Sequence, residues 1–262
     1  MISRGAAHAA LTAAALGFVA ATFFFGAWPE SDLWVSARFA IPSGHFPAES
    51  NAWLELFRQV LWDVTNAGIL VSFAMMTLQG LFRPAHRIAT RVWSFIFLSY
   101  LIAPGLIVNG LLKTYWGRAR PRQIEAFGGD AAFTQALNLA HECARNCSFV
   151  SGEAAGILTT AMVLSLTFIP NLEPRIARWS AGLMIWALAL SGAAIRIAMG
   201  AHFLSDVVFS FLICAMVTLA LYLALAVDRH VLGATPANLL RDLGSMARPV
   251  AAFLQKRAPR VF

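Results

Sequence analysis

The sequence predicts an all-α polytopic membrane protein, a bundle of six transmembrane helices. Two observations carry that prediction. Hydrophobic residues make up 59% of the chain and charged residues only 13%, against roughly 25% charged in a soluble domain; so few polar groups cannot cover a water-facing surface. The apolar residues also gather in six runs, at roughly 6–28, 63–82, 92–112, 149–169, 178–195 and 205–227, each close to the ~20 residues that cross a bilayer core as a helix. Six such spans and their loops consume a chain of 262 residues. The net charge of +7 does not point to nucleic acid. Basic residues mark the cytoplasmic ends of membrane helices, and no basic patch with interleaved aromatics is present. The eight Trp and 20 Phe suit a lipid-facing surface with interfacial anchors.

The first run follows Arg4 and superficially resembles a signal peptide. It is longer than a signal core, however, and Phe25 stands three before a cut after Ala27, where a small residue is required. It is therefore read as a retained helix. Lys and Arg in alternate loops number twelve on the side of Arg4 and eight on the other, which places both termini in the cytoplasm. The apolar runs show no polar residues near mid-span that look paired, which argues against a transporter or channel. With no internal repeat, residues 1–234 read as one membrane domain and 235–262 as a basic, amphipathic cytoplasmic tail. Thr235 and Pro236 mark a helix start there. Leu239, Leu240, Leu243 and Met246 form one face with Arg and Asp opposite, which fits either a helix on the inner membrane surface or a solvated tail.

Three polar clusters interrupt the apolar pattern, all on the side away from the termini. Lys113 and Arg120 are seven residues apart, two helical turns, so they share a face if the third span continues that far. They would then form an anion clamp; alternatively they flank the helix and snorkel to headgroups. Ser151, Gly152 and Glu153 open the fourth span, where free N–H groups bind phosphate or are satisfied by an ordinary cap. Arg196, His202 and Asp206 join the fifth span to the sixth. His202 and Asp206 are four apart and can meet, either as a histidine nucleophile with its orienting carboxylate or as a structural pair. Cys143 and Cys147 either bridge, in an oxidising compartment, or remain free; a zinc site beside His141 lacks a fourth ligand. Cys214 reads as core packing.

Lys113 with six residues before Arg120-Pro121, then Ser151-Gly152, then Arg196 with five before His202 and three before Asp206 resembles the type 2 phosphatidic acid phosphatase superfamily. Its motifs are K-x6-R-P, P-S-G-H and S-R-x5-H-x3-D, and the resemblance spans 113–206. It implies that His202 attacks phosphorus to form a phosphohistidine, with Asp206 holding it. Lys113, Arg120, Arg196, Ser151 and the Gly152 N–H would bind the phosphoryl oxygens, and neither metal nor cofactor would be needed. The implied substrates are a phosphatidyl phosphate, an isoprenyl diphosphate or lipid A. The implied location is the bacterial inner membrane, with the site facing the periplasm. The stretch from Cys147 to Glu153 is similar to that of bacterial lipid A phosphatases, the 4′-type in particular. Lipid-to-lipid phosphotransfer would use the same residues.

Three positions depart from the motifs: Val150 replaces Pro, Ile195 replaces Ser, and Glu153 replaces the His that protonates the leaving oxygen. Glu153 in that acid role is one expectation; His141 as a substitute acid is another, and a non-catalytic lipid-phosphate binding protein a third. Pro42-Ser43-Gly44-His45 matches the second motif literally but precedes the first, so it is read as a loop.

Overall fold

A computed structural model describes residues 2–82 and 86–245. Six of its helices are long and apolar enough to cross a membrane, and among the described residues there are no strands beyond one isolated bridge between Ile124 and Ala131. The chain is a multi-pass membrane protein of the predicted class. Helix α1 (Arg4–Ala27) starts where the Ser3 side chain accepts from Ala6 N–H. Short α2 (Glu30–Ala37) follows it. Helix α3 (Ala52–Phe82) begins at 52 and not at 63, about three helical turns before the predicted run. Its first turns carry Glu55 and Arg58, so hydropathy hides them, but Asn51 Oδ1 caps the helix by accepting from Trp53 and Leu54 N–H.

Helix α4 (Thr90–Tyr115) is interrupted by a π-helical stretch, Leu101–Leu112, that contains Pro104. Proline lacks an N–H and clashes with the preceding turn; the wider winding accommodates it, and Asn109 Nδ2 donates to Pro104 O at 2.6 Å. Helices α5 (Gly152–Leu166, its span running on to Asn171), α6 (Arg175–Ala198) and α7 (Leu204–Ala224) complete the spans.

Helix α5 is the axis of the bundle. Its most apolar window is 78% buried, against 17% to 44% in the other five spans. Small residues make that possible: Ala154, Ala155 and Ala161 are buried, and a Cβ on Gly156 would come within 2.9 Å of Thr65. Close approach through small residues is how membrane helices gain packing without a water-driven hydrophobic effect. Following the chain up and down, loops 28–51, 116–151 and 199–203 gather at one end of the bundle.

Residues 236–245 form helix α8, and the Thr235 side chain caps it by accepting from Asn238 N–H at 3.2 Å. One expectation needs correcting. Asp242, assigned to the polar face opposite the leucines, is buried and accepts from Arg87 and Ile88 N–H at 2.8 and 2.9 Å. Those main-chain donors precede α4 and need an acceptor, so the carboxylate turns inward. Leu240 and Leu243 face outward instead. Met246 and the rest of the tail lie outside the described residues.

Candidate active site

The gathered loops enclose a cavity of about 280 Å³ lined by Lys113, Arg120, Gly152, Glu153, Arg196 and His202, together with Trp62, Asn109 and Asn146. Lys113 lies in the last turn of α4 and is buried rather than snorkelling. Arg120 arrives differently from the expectation, because the helix stops at Tyr115. The chain turns at Gly117, whose φ of +70° favours glycine and where a Cβ would lie 1.8 Å from Ala140 O. Lys113 and Arg120 thus meet through a loop and not along a helix face. Arg120 Nη2 donates to Asn146 O at 2.9 Å. Burial lowers its pKa and neighbouring Arg122 adds to that, but a guanidinium stays charged across the working range.

Ser151, expected to bind phosphate, is instead fully buried and does not line the cavity: its hydroxyl caps α5, accepting from Ala154 N–H at 3.4 Å, and Gly152 is the residue of that helix end that reaches the cavity. Arg196 enters from the last turn of α6. His202 lies in the turn before α7 and is buried; its Nδ1 is 2.8 Å from Ser148 O and 3.6 Å from Asp206 Oδ2. A carbonyl only accepts, so Nδ1 carries the proton and Nε2 keeps its lone pair. Burial pushes the imidazole down to about 3, against the opposing pull of Asp206 and with Lys113 adding to the depression. The ring is therefore neutral near pH 7, the form a nucleophile requires.

Asp206 is less a partner of His202 alone than the expectation held. It accepts from Arg118 Nη1 at 2.8 Å, from Phe203 N–H at 2.9 Å and from the Ser148 hydroxyl. Arg118 is absent from the sequence-based site, yet it is fully buried and central. Its Nη2 donates to Asp32 Oδ2 at 2.8 Å, Nη1 also reaches Ser205 Oγ at 2.9 Å, and Nε donates to Thr134 O at 2.9 Å. The guanidinium lies 4.2 Å over the Phe203 ring. Asp32 in turn accepts from Ser205 N–H at 2.9 Å and from its hydroxyl. Burial raises the Asp32 pKa, with Arg118 working against it. The one available signal was a third cation between Lys113 and Arg120.

Glu153 is ion-paired on both oxygens, to Arg58 Nη1 at 2.9 Å and to Arg196 Nη2 at 3.5 Å. Arg58 also went unnoticed, because it lies in the part of α3 outside the apolar run. Its other edge binds Glu55. His141 is exposed and does not line the cavity. Of the Pro42-Ser43-Gly44-His45 stretch, Ser43, Gly44 and His45 border a different cavity. The next residue, Phe46, is buried against Gly200, where a Cβ would meet its ring at 2.5 Å; the loop thereby supports the His202 turn. Cys143 and Cys147 are disulfide-bonded, and Cys214 is free and buried. Among the described residues, no three His, Cys, Asp or Glu side chains are grouped to hold a metal.

The model of the PAP2 superfamily matches residues 92–229, which contain all three clusters in order. The chain belongs to the PAP2 superfamily. It is also similar to three proteins named lipid A 4′-phosphatase. The *Rhizobium leguminosarum* protein is 42% identical over 125 residues, 48% of this chain and 51% of its own length. The *Rhizobium etli* protein (strain ATCC 51251 / DSM 11541 / JCM 21823 / NBRC 15573 / CFN 42) has the same identity over 125 residues, 48% of this chain and 46% of its own. The *Francisella tularensis* subsp. *novicida* (strain U112) protein is 33% identical over 204 residues, 74% of this chain and 87% of its own. The chain spans about half the length of the two *Rhizobium* relatives it matches. No solved structure matches it.

Proposed function

We propose that this PAP2 member is a lipid phosphatase of a bacterial inner membrane, with its site at the periplasmic face, removing phosphate from a lipid A-type phosphomonoester. The observation that carries this reading is the convergence of Lys113, Arg120, Arg196 and a neutral His202 on one cavity. The relatives' names support the choice of lipid A over an isoprenyl diphosphate or a phosphatidyl phosphate. The disulfide supports an oxidising compartment.

In the proposed reaction the phosphoryl oxygens sit among the three cations and the Gly152 N–H, so charge is stabilised by groups already in place. His202 Nε2 attacks phosphorus; the P–N bond forms as the bond to the lipid oxygen breaks. Asp206 and the Ser148 carbonyl hold the Nδ1–H side of the ring as it becomes cationic. When phosphate takes Arg196, the Glu153 oxygen released from that ion pair takes a proton from solvent water and passes it to the leaving oxygen, while Arg58 keeps the other in place. Water then attacks phosphorus and gives up a proton through the Glu153 carboxylate to solvent, the P–N bond breaks, and inorganic phosphate leaves with neutral His202 restored.

Release of phosphate from purified lipid A by the wild-type protein, compared with His202→Ala, tests the reading. Wild-type release and a loss of at least ~10³-fold in the variant are expected. Equal release by both would remove His202 as nucleophile. Binding of lipid A without release by the wild type would instead favour a lipid-phosphate binding protein.

A further inference from the structure

Three consecutive backbone carbonyls hold much of the active-site geometry. Asn146 O accepts from Arg120 Nη2 at 2.9 Å, Cys147 O accepts from Lys113 Nζ at 3.1 Å, and Ser148 O faces His202 Nδ1 at 2.8 Å. Two phosphate-binding cations and the nucleophile therefore take their positions from one short stretch of main chain. These acceptors are main-chain atoms, so their placement depends on whatever fixes the backbone between 143 and 148.

That stretch belongs to no helix. On its inner side it is docked to the last turn of α4 and the segment that follows: Cys147 N–H donates to Lys113 O at 3.3 Å and Ser148 N–H to Arg118 O at 2.8 Å. On its outer side, residues 144–146 are exposed, and the turn is closed covalently between Cys143 and Cys147. The closing bond ends on the residue whose carbonyl holds Lys113, next to those that hold Arg120 and His202.

We propose that the Cys143–Cys147 disulfide is a positioning element of the active site, fixing the 146–148 carbonyls so that Lys113, Arg120 and His202 act on one phosphate. The protein then works in its oxidised form and loses activity when this bond is reduced. The inference rests on the phosphatase reading above. Cys143 is partly exposed while Cys147 is buried, so a small dithiol reaches the Cys143 sulfur first. Its thiolate attacks that sulfur, the S–S bond breaks and Cys147 leaves as a thiolate that takes up a proton. The second thiol of the reagent resolves the mixed disulfide, releasing Cys143 as a thiol and the reagent as its cyclic disulfide. Two electrons and two protons end on the cysteines. Without the closure the turn gains conformations, and the carbonyls at 146 and 147 lose their fixed places.

The test compares kcat/KM on lipid A, and the affinity for inorganic phosphate, before and after treatment with dithiothreitol. Alkylation and peptide mapping report the state of Cys143 and Cys147 separately from buried Cys214. Reduction is expected to lower both quantities about tenfold or more, since charged hydrogen bonds are being loosened. Reoxidation with diamide should restore them. A Cys143→Ala/Cys147→Ala protein should start low and ignore dithiothreitol; because it could instead misfold, reversal in the wild-type protein is the deciding arm. Unchanged kcat/KM and phosphate affinity in protein with both thiols free would overturn the proposal, as would free thiols at 143 and 147 in protein prepared under oxidising conditions. Should no form hydrolyse lipid A, phosphate affinity decides alone. A tenfold loss on reduction would then support the positioning role while the hydrolytic reading falls, and an unchanged affinity would reject the positioning role.

Discussion

Replacing Arg118 with Met keeps much of the side-chain volume and removes the charge. In the native protein this guanidinium is fully buried, joins the Asp32 and Asp206 carboxylates at 2.8 Å each, and donates to Ser205 Oγ and Thr134 O. Breaking a buried ion pair from one side costs about 3–5 kcal/mol, because the partner charge is left uncompensated. For a chain of this size that corresponds to a fall in Tm of about 6–20 °C, readable from Trp fluorescence during heating in detergent. The loss should depend on pH. Asp32 already has a raised pKa from burial, and Arg118 opposes the rise, so the variant raises it further. An acid whose folded pKa is raised gives stability that is complete below its unfolded value, ~3.9, and lost as pH rises through the folded value. The deficit of Arg118→Met should therefore shrink as pH is lowered from 8 toward 5. Arg118→Lys, which keeps charge but not the planar fork, should fall between. A variant with native Tm at every pH would refute the claim that Arg118 ties α2 to α7 through paired charges.

Glu153→Gln should lower kcat on a phosphomonoester by about 10²–10⁴-fold, the usual worth of a positioned proton donor; an unaltered rate in a steady-state assay would remove Glu153 from the mechanism. Gly117→Ala should destabilise the protein by at least ~1 kcal/mol and weaken inhibition by orthovanadate, since a Cβ there meets Ala140 O on the path from Lys113 to Arg120. A native vanadate affinity and Tm would show that the turn tolerates a side chain. Asp242→Ala leaves two main-chain donors of residues 87 and 88 without their acceptor, a loss of about 1–3 kcal/mol for each one left buried and unsatisfied. Faster amide exchange at 87–88 is the expected readout, and unchanged exchange would contradict the anchoring of α8.

The six spans were legible because lipid demands long apolar helices, and the three clusters because charged groups are rare and conspicuous in such a chain. What escaped the sequence has physical causes. Arg58 sits on an amphipathic first part of α3, where no apolar run announces a helix. Arg118 looked like one more loop cation, and only its complete burial beside Asp32 and Asp206 separates it from Arg122, which stays near the surface with Glu49. The seven-residue spacing of Lys113 and Arg120 suggested a shared helix face, yet the pair converges because Gly117 reverses the chain. The Ser148 carbonyl, a closer partner of His202 Nδ1 than Asp206, belongs to the backbone, and side-chain identity carries no sign of it.

Trapping the covalent intermediate tests the central claim most directly. Wild-type protein is mixed with lipid A carrying ³²P in the phosphate, quenched in alkali within milliseconds to seconds, digested and mapped. The account predicts acid-labile, alkali-stable label on the peptide containing His202 and none in His202→Ala. Label on any other residue, or undiminished hydrolysis by His202→Ala, would contradict it.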